Sequence, residues 1–187
     1  SKLTKNYGET TKKSLEALLA TIELAKLKKP LENEYIIFTF KNYVLFYPKS
    51  EKSQSIYQKL FNKYFELHKI KKSINVMIVY GLNYPKDILI HREMLTQILD
   101  TYIKEKKTDK LAFWINKIEK GYLDFSQEYI QNSTAILGGL LFEKYQAMEK
   151  NGKIKEAMEG YESIYDSKKY PNQTKAEAAY AIATLYQ

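Results

Sequence analysis

Three Tyr-Pro elements punctuate the chain: Tyr47-Pro48-Lys49-Ser50, Tyr84-Pro85-Lys86-Asp87 and Tyr170-Pro171-Asn172-Gln173. Each closes an aromatic-rich segment and opens one with helical spacing. Pro48 and Pro85 stand 37 residues apart, and Pro85 and Pro171 stand 86 apart, two units of about 43. Self-similarity at a period of ~34 to 47 residues is the sequence form of a helical repeat array, in which stacked helix pairs share one continuous core. At 187 residues the chain is long enough for one sizeable core or one continuous array.

The apolar spacing between these elements fills in the helices. Leu15, Leu18, Leu19, Ile22 and Ala25 share one face, and Pro30 is expected to end that helix. Residues 32–47 are apolar almost all round. Their aromatic and β-branched content leaves a strand open, but Ile36, Phe40, Tyr43 and Tyr47 keep i, i+4, i+7, i+11 spacing and favour a buried helix. Amphipathic patterns follow over 50–69, 73–84, 87–105 and 108–122, with Asp87 placed to cap the third of these. A long helix from Gln127 or Ser133 to Lys150 precedes the Asn151-Gly152 turn signal. Ile154, Ala157, Met158, Tyr161, Ile164 and Tyr165 form the clearest stripe, and Thr174-Lys175-Ala176-Glu177 fits a capping box for the last helix. The expectation is an all-α domain over 1–187 with about nine antiparallel helices. The pairs fall at about 10–47, 50–84, 87–123 and 127–170, with a terminal helix at 174–187.

Within this frame, Asn151-Gly152-Lys153-Ile154-Lys155-Glu156-Ala157, followed by Tyr161 and Pro171, resembles the tetratricopeptide repeat. Gly152, Ala157 and Tyr161 match that family's pattern in place, and Pro171 falls two residues late. Residues 54–85 have the family's length and match at Leu60, Tyr64, Ile70 and Pro85, departing at Phe61, His68 and Ser73. Tyr145 stands where the family prefers a small residue, so looser or shifted packing is expected there. The resemblance implies a right-handed α-solenoid of four and a half hairpins that binds partners without chemistry. The Tyr-Pro-Lys-Ser start is also similar to repeats of bacterial envelope proteins, such as the periplasmic Tol-Pal coordinator and the lipoprotein that assists outer-membrane β-barrel assembly. A periplasmic or envelope setting follows as an expectation.

In such an array the groove is lined by first-helix residues facing away from the neighbouring pair. By this alignment they are Gln58, Asn62 and Phe65, then Thr96 and Asp100, then Phe142 and Gln146, then Tyr180 and Thr184. This set is polar, aromatic and nearly uncharged, which suits a peptide or partner helix. A merely solvated face, or one covered by more of the same protein, is the other reading.

Net charge is +8, and residues 1–72 carry all of the excess, with 15 basic and 7 acidic groups. Arg92 is the only arginine, so bidentate phosphate or base recognition is disfavoured. An AT-rich genome also produces this lysine bias. Lysines gather where the first helix of each pair is expected to end: Lys28 and Lys29; Lys69, Lys71 and Lys72; Lys104, Lys106 and Lys107; Lys150 and Lys153. They read either as cations offsetting the helix dipole at C-termini, or as a basic rim for an acidic protein surface, anionic lipid or nucleic acid.

No chemistry-bearing motif stands out. There is no cysteine, no His-Glu-x-x-His, no Gly-x-Ser-x-Gly and no glycine-rich phosphate loop. His91 falls on the stripe of Leu95, Ile98 and Tyr102 and reads as a packed histidine. Gly138-Gly139 lies in an apolar helical pattern, where close helix approach accounts for it. No apolar run reaches the ~18 residues that span a bilayer. The expected function is therefore a non-catalytic protein–protein scaffold with no cofactor or metal. The alternatives are a helical accessory domain of a cell-wall enzyme, or a nucleic-acid or anionic-surface binder using the lysines. The start at Ser1 and the end inside a helical pattern lead us to expect a segment of a longer protein.

Overall fold

The computed structural model describes residues 9, 11–18, 20 and 29–186. Among them all regular secondary structure is helical, so the all-α expectation holds and the strand alternative for 32–47 falls. A helical stretch over 11–18 buries Leu15. It is followed by α1 (Lys29–Phe46), α2 (Ser53–Glu66), α3 (Ile70–Asn83) and α4 (Ile88–Lys104). Then come α5 (Thr108–Glu119), α6 (Gln127–Lys150), α7 (Ile154–Tyr165) and α8 (Asn172–Leu185). The chain forms two compact units, Ser1–Leu95 and Thr96–Gln187.

In the first unit α2 packs against both α1 and α3. The sequence pattern dictates this, because α2 buries Ile56, Tyr57, Leu60, Phe61 and Tyr64 along one stripe. Helix α1 corrects the expectation of a fully buried element. Ile36, Phe40, Tyr43 and Val44 are buried, but Tyr35, Phe38, Leu45 and Phe46 on the other side are exposed. Pro30 sits in the first turn of α1, where its missing N–H costs nothing, and the expected end of the preceding helix lies outside the described residues.

The two Tyr-Pro elements of this unit are built alike. Ser50 Oγ donates to Tyr43 Oη at 3.1 Å. Thirty-seven residues on, Asp87 accepts from the hydroxyl of Tyr80. Asp87 Oδ1 also receives the Ile90 N–H at 3.5 Å, the cap expected of it. The Tyr84 hydroxyl then donates to the Pro48 carbonyl at 3.2 Å, tying one element to the next.

In the second unit α6 packs on α5, α7 and α8, and α7 packs on α8. Ala157, Tyr161, Ile164 and Ala178 form the centre of this core. The looser packing expected at Tyr145 is not seen, because a glycine on the facing helix makes room for its ring. A Cβ on Gly160 would lie 2.3 Å from the Tyr145 ring, so Tyr145 is seated on Gly160. Gly138 makes the same kind of seat for Tyr170, whose ring would lie 2.9 Å from an added Cβ, whereas Gly139 faces open space. The capping-box expectation at Thr174 is corrected: α8 starts two residues earlier, after Pro171, and Thr174 is buried in its first turn. For α6, Ser126 is the cap, its side chain accepting from Tyr129 N.

Candidate functional site

One turn geometry, also made at Gly121, recurs at three further places and positions the lysines. His68, Lys106 and Gly152 each adopt positive φ, at 53°, 51° and 77°. In each case the N–H of the following residue reaches back into the last turn of the helix: Lys69 to the Tyr64 carbonyl, Lys107 to that of Tyr102, Lys153 to that of Met148. The positive-φ residue itself bonds to Phe65, Ile103 and Glu149 respectively. This paired 6→1 and 5→2 closure satisfies the last carbonyls of a helix and stops it. Lys69, Lys107 and Lys153 then become the N-caps of α3, α5 and α7, with closely similar backbone angles and no side-chain capping bond.

The lysine assignment is corrected accordingly. Lys104 and Lys150 do end α4 and α6, where a cation is favourable. Lys69, Lys71 and Lys72, with Lys107 and Lys153, instead stand at helix N-termini, where the partial positive charge of the exposed N–H groups repels them. Lys29 lies in the first turn of α1, and Lys28 lies outside the described residues. Several of these cations have local work. Lys72 lies 5.6 Å over the Tyr64 ring, Lys106 pairs with Glu143 at 2.6 Å, and Lys107 pairs with Glu105.

The predicted groove residues each fall on a first-helix face. Gln58, Asn62 and Phe65 lie along α2, Thr96 and Asp100 along α4, Phe142 and Gln146 along α6, and Tyr180 and Thr184 along α8. They divide by burial. Asn62, Asp100, Gln146, Tyr180 and Thr184 are exposed, while Gln58, Phe65, Thr96 and Phe142 are half-buried. Phe65 stacks on Phe61 with centroids 5.8 Å apart, and Phe142 packs on Tyr161 at 5.3 Å, so both rings are partly spent on the core. Tyr180 is 77% exposed.

Sequence reasoning missed a concavity in the first unit. A hollow of about 610 Å³ lies between α1 and α3, floored by Tyr57, Leu60 and Tyr64 of α2. Val44 and Leu45 wall one side and Val76 and Val79 the other, with Lys41 and Lys72 at its edge. The signal is present in the all-round apolar character of α1. Periodicity reads it as burial, because periodicity does not say whether a second apolar face has a neighbour.

The titratable groups read as structural. His91 is buried against Gly81, where an added Cβ would fall 2.0 Å from Cε1, and its ring stands edge-on to Tyr80. Burial lowers its pKa, with the Asp87 carboxylate acting the other way. Burial and the Asp87 hydrogen bond push Tyr80 up to about 12. Burial and the Glu149 carboxylate push Tyr161 up, its hydroxyl donating to Glu149 at 2.7 Å. Among the described residues no three His, Asp or Glu side chains gather as a metal site, and no helix is long and apolar enough to cross a membrane. Comparison with family models, with curated proteins and with solved structures finds no match to this chain.

Proposed function

We propose that the protein is a non-catalytic scaffold that holds a protein partner against its first-helix faces. One observation carries the reading. Asn62 on α2, Gln146 on α6, and Tyr180 and Thr184 on α8 are exposed, uncharged and able to hydrogen-bond or stack. Amide and tyrosine side chains on rigid helices are what polar recognition of a peptide needs, because little order is lost on binding. The resemblance to tetratricopeptide repeats points the same way, and the Tyr-Pro elements extend it to envelope scaffolds. Affinity for a shallow, partly open face falls near ~1 µM, about −8 kcal/mol.

A second reading is favoured by the lysines at helix N-caps. Their position costs stability, and an acidic protein surface or nucleic acid would repay it.

One capture experiment separates the two. Wild-type protein and Tyr180→Ala are used on envelope and cytosolic fractions of the source cell at ~50 and ~200 mM salt. The scaffold reading expects a defined protein that survives the higher salt and is lost with Tyr180→Ala. Nucleic acid, or an unselective acidic set released at the higher salt, would overturn it in favour of the lysine reading.

A further inference from the structure

We propose that the groove between α1 and α3 is a second docking site, and that its occupant is an acidic amphipathic helix of a partner protein. The proposal rests on the scaffold reading only in taking the partner to be a protein.

The groove is apolar and open. Leu45 is 65% exposed and Val79 42%, though both wall a concavity whose floor is buried. The apolar surface continues beyond it along both helices: Phe38 lies seven residues before Leu45 on α1, and Leu82 three after Val79 on α3. Both are largely exposed. A continuous apolar strip beside a hollow marks an interaction surface rather than scattered exposure.

The second unit has a hollow at a comparable place in the helix order, between α5 and the loop joining α7 to α8, over α6. There it is smaller, about 370 Å³, and is walled in part by Asp109, Glu119 and Lys169. Glu119 and Lys169 pair with each other, and Tyr170 is packed onto Gly138. That hollow is therefore bridged by an ion pair and narrowed from within the chain. The α1–α3 groove has neither the ion pair nor the plug among its lining residues.

Charge selects the occupant. The residues lining the groove include Lys41 and Lys72 and no carboxylate, and residues 1–72 hold the chain's whole basic excess. Shape selects its conformation. Both walls are helices whose backbone groups are already bonded, so an extended peptide would find only side chains such as Asn75 and Asn83 for its own row of N–H and C=O groups. A helix satisfies its own backbone and needs only apolar anchors at i, i+3 or i+4 and i+7. Glutamates flanking those anchors would meet Lys41 and Lys72.

The test uses a labelled synthetic helix of about 18 residues with leucines at that spacing and glutamates beside them. A sister peptide carries lysine for every glutamate, and binding to the full chain is read by fluorescence anisotropy. The acidic peptide is expected to bind saturably and the basic one not. Leu45→Glu and Val79→Glu should each weaken binding by about tenfold or more. Lys41→Glu with Lys72→Glu should shift the preference toward the basic peptide. Equal binding of both peptides, or indifference to Val79→Glu, would overturn the proposal. So would a dimer in sedimentation that Val79→Glu dissociates, which would make a second copy the occupant. A fall in melting temperature on Leu45→Glu would overturn it too, by showing the groove already covered by the chain itself. The Tyr180 capture can succeed where this binding fails, so the two readings fall separately.

Discussion

The Tyr80 hydroxyl donates to the Asp87 carboxylate across the turn from α3 to α4, and Gln54 of α2 donates to the same oxygen. Three helices meet at one carboxylate, whose other oxygen caps α4. Asp87→Ala removes the cap and leaves a tyrosine hydroxyl short of its acceptor. The expected cost is about 1–3 kcal/mol, read as a lower urea midpoint with an unchanged slope. The Tyr80 titration moves as well. Its pKa of about 12 should fall part of the way to 10 in Asp87→Asn, because burial still acts. In the wild type the unfolded chain releases this proton near pH 10 and the folded chain near 12. Tyr80 therefore contributes stability that is complete below pH 10 and is lost as pH rises from 10 to about 12. An alkaline unfolding limb that is unchanged in Asp87→Asn would refute this.

Tyr145 and Gly160 give a coupled pair. Gly160→Ala should gain ~1 kcal/mol from helix propensity, but the new Cβ would sit 2.3 Å from the Tyr145 ring. Overpacking of this size costs about 1–3 kcal/mol, so the net change is a loss. Tyr145→Ala in the same chain frees the space, and the double variant should be more stable than the two single losses sum to. A double-mutant cycle by urea unfolding checks it, and additivity within ~0.5 kcal/mol would show that the ring does not rest on Gly160.

The same pair shows how far the sequence can be read. Helix existence and order are legible, because stripes such as Ala157–Tyr161–Ile164 admit one period and one buried face. The trade of small residue between facing helices is not, because it requires knowing that Tyr145 and Gly160 meet. The turns are legible only at Gly152. His68 and Lys106 take the same left-handed conformation with side chains that seldom adopt it, so spacing alone assigns the lysines after them to the wrong helix end. At the candidate site, alignment puts the named residues on α2, α4, α6 and α8. It does not find the α1–α3 groove, because the floor comes from a third helix.

His91 should make stability depend on acid. Burial lowers its folded pKa below the ordinary 6.5. The unfolded chain therefore takes up the proton first as pH falls. The stability that His91 contributes as a neutral ring is complete above 6.5 and declines as pH drops toward the lowered value. The nearby Asp87 carboxylate softens the effect without reversing it. The urea midpoint should fall as pH drops below 6.5, and His91→Gln should show a shallower fall. Parallel slopes for the two proteins would remove His91 as the cause. Gly81→Ala is expected to be the harsher change, because the added Cβ overlaps the imidazole itself.

The lysines at N-caps predict an exchange between stability and binding. Lys69 and Lys153 open α3 and α7 without a side-chain cap, and each places a cation against exposed helix N–H groups. Aspartate at such a position accepts a hydrogen bond from those groups and complements the dipole. Lys69→Asp and Lys153→Asp should therefore each stabilise the fold by about 0.5–1 kcal/mol. For a chain of this size that is a rise of ~1–4 °C in melting temperature. If these lysines serve an acidic surface or nucleic acid, the same variants should lose salt-sensitive capture at ~50 mM salt while melting higher. A gain in stability with no loss of capture would leave the three turns as a structural repeat alone. Loss of capture without the gain would mean that another interaction already offsets the dipole cost at these caps.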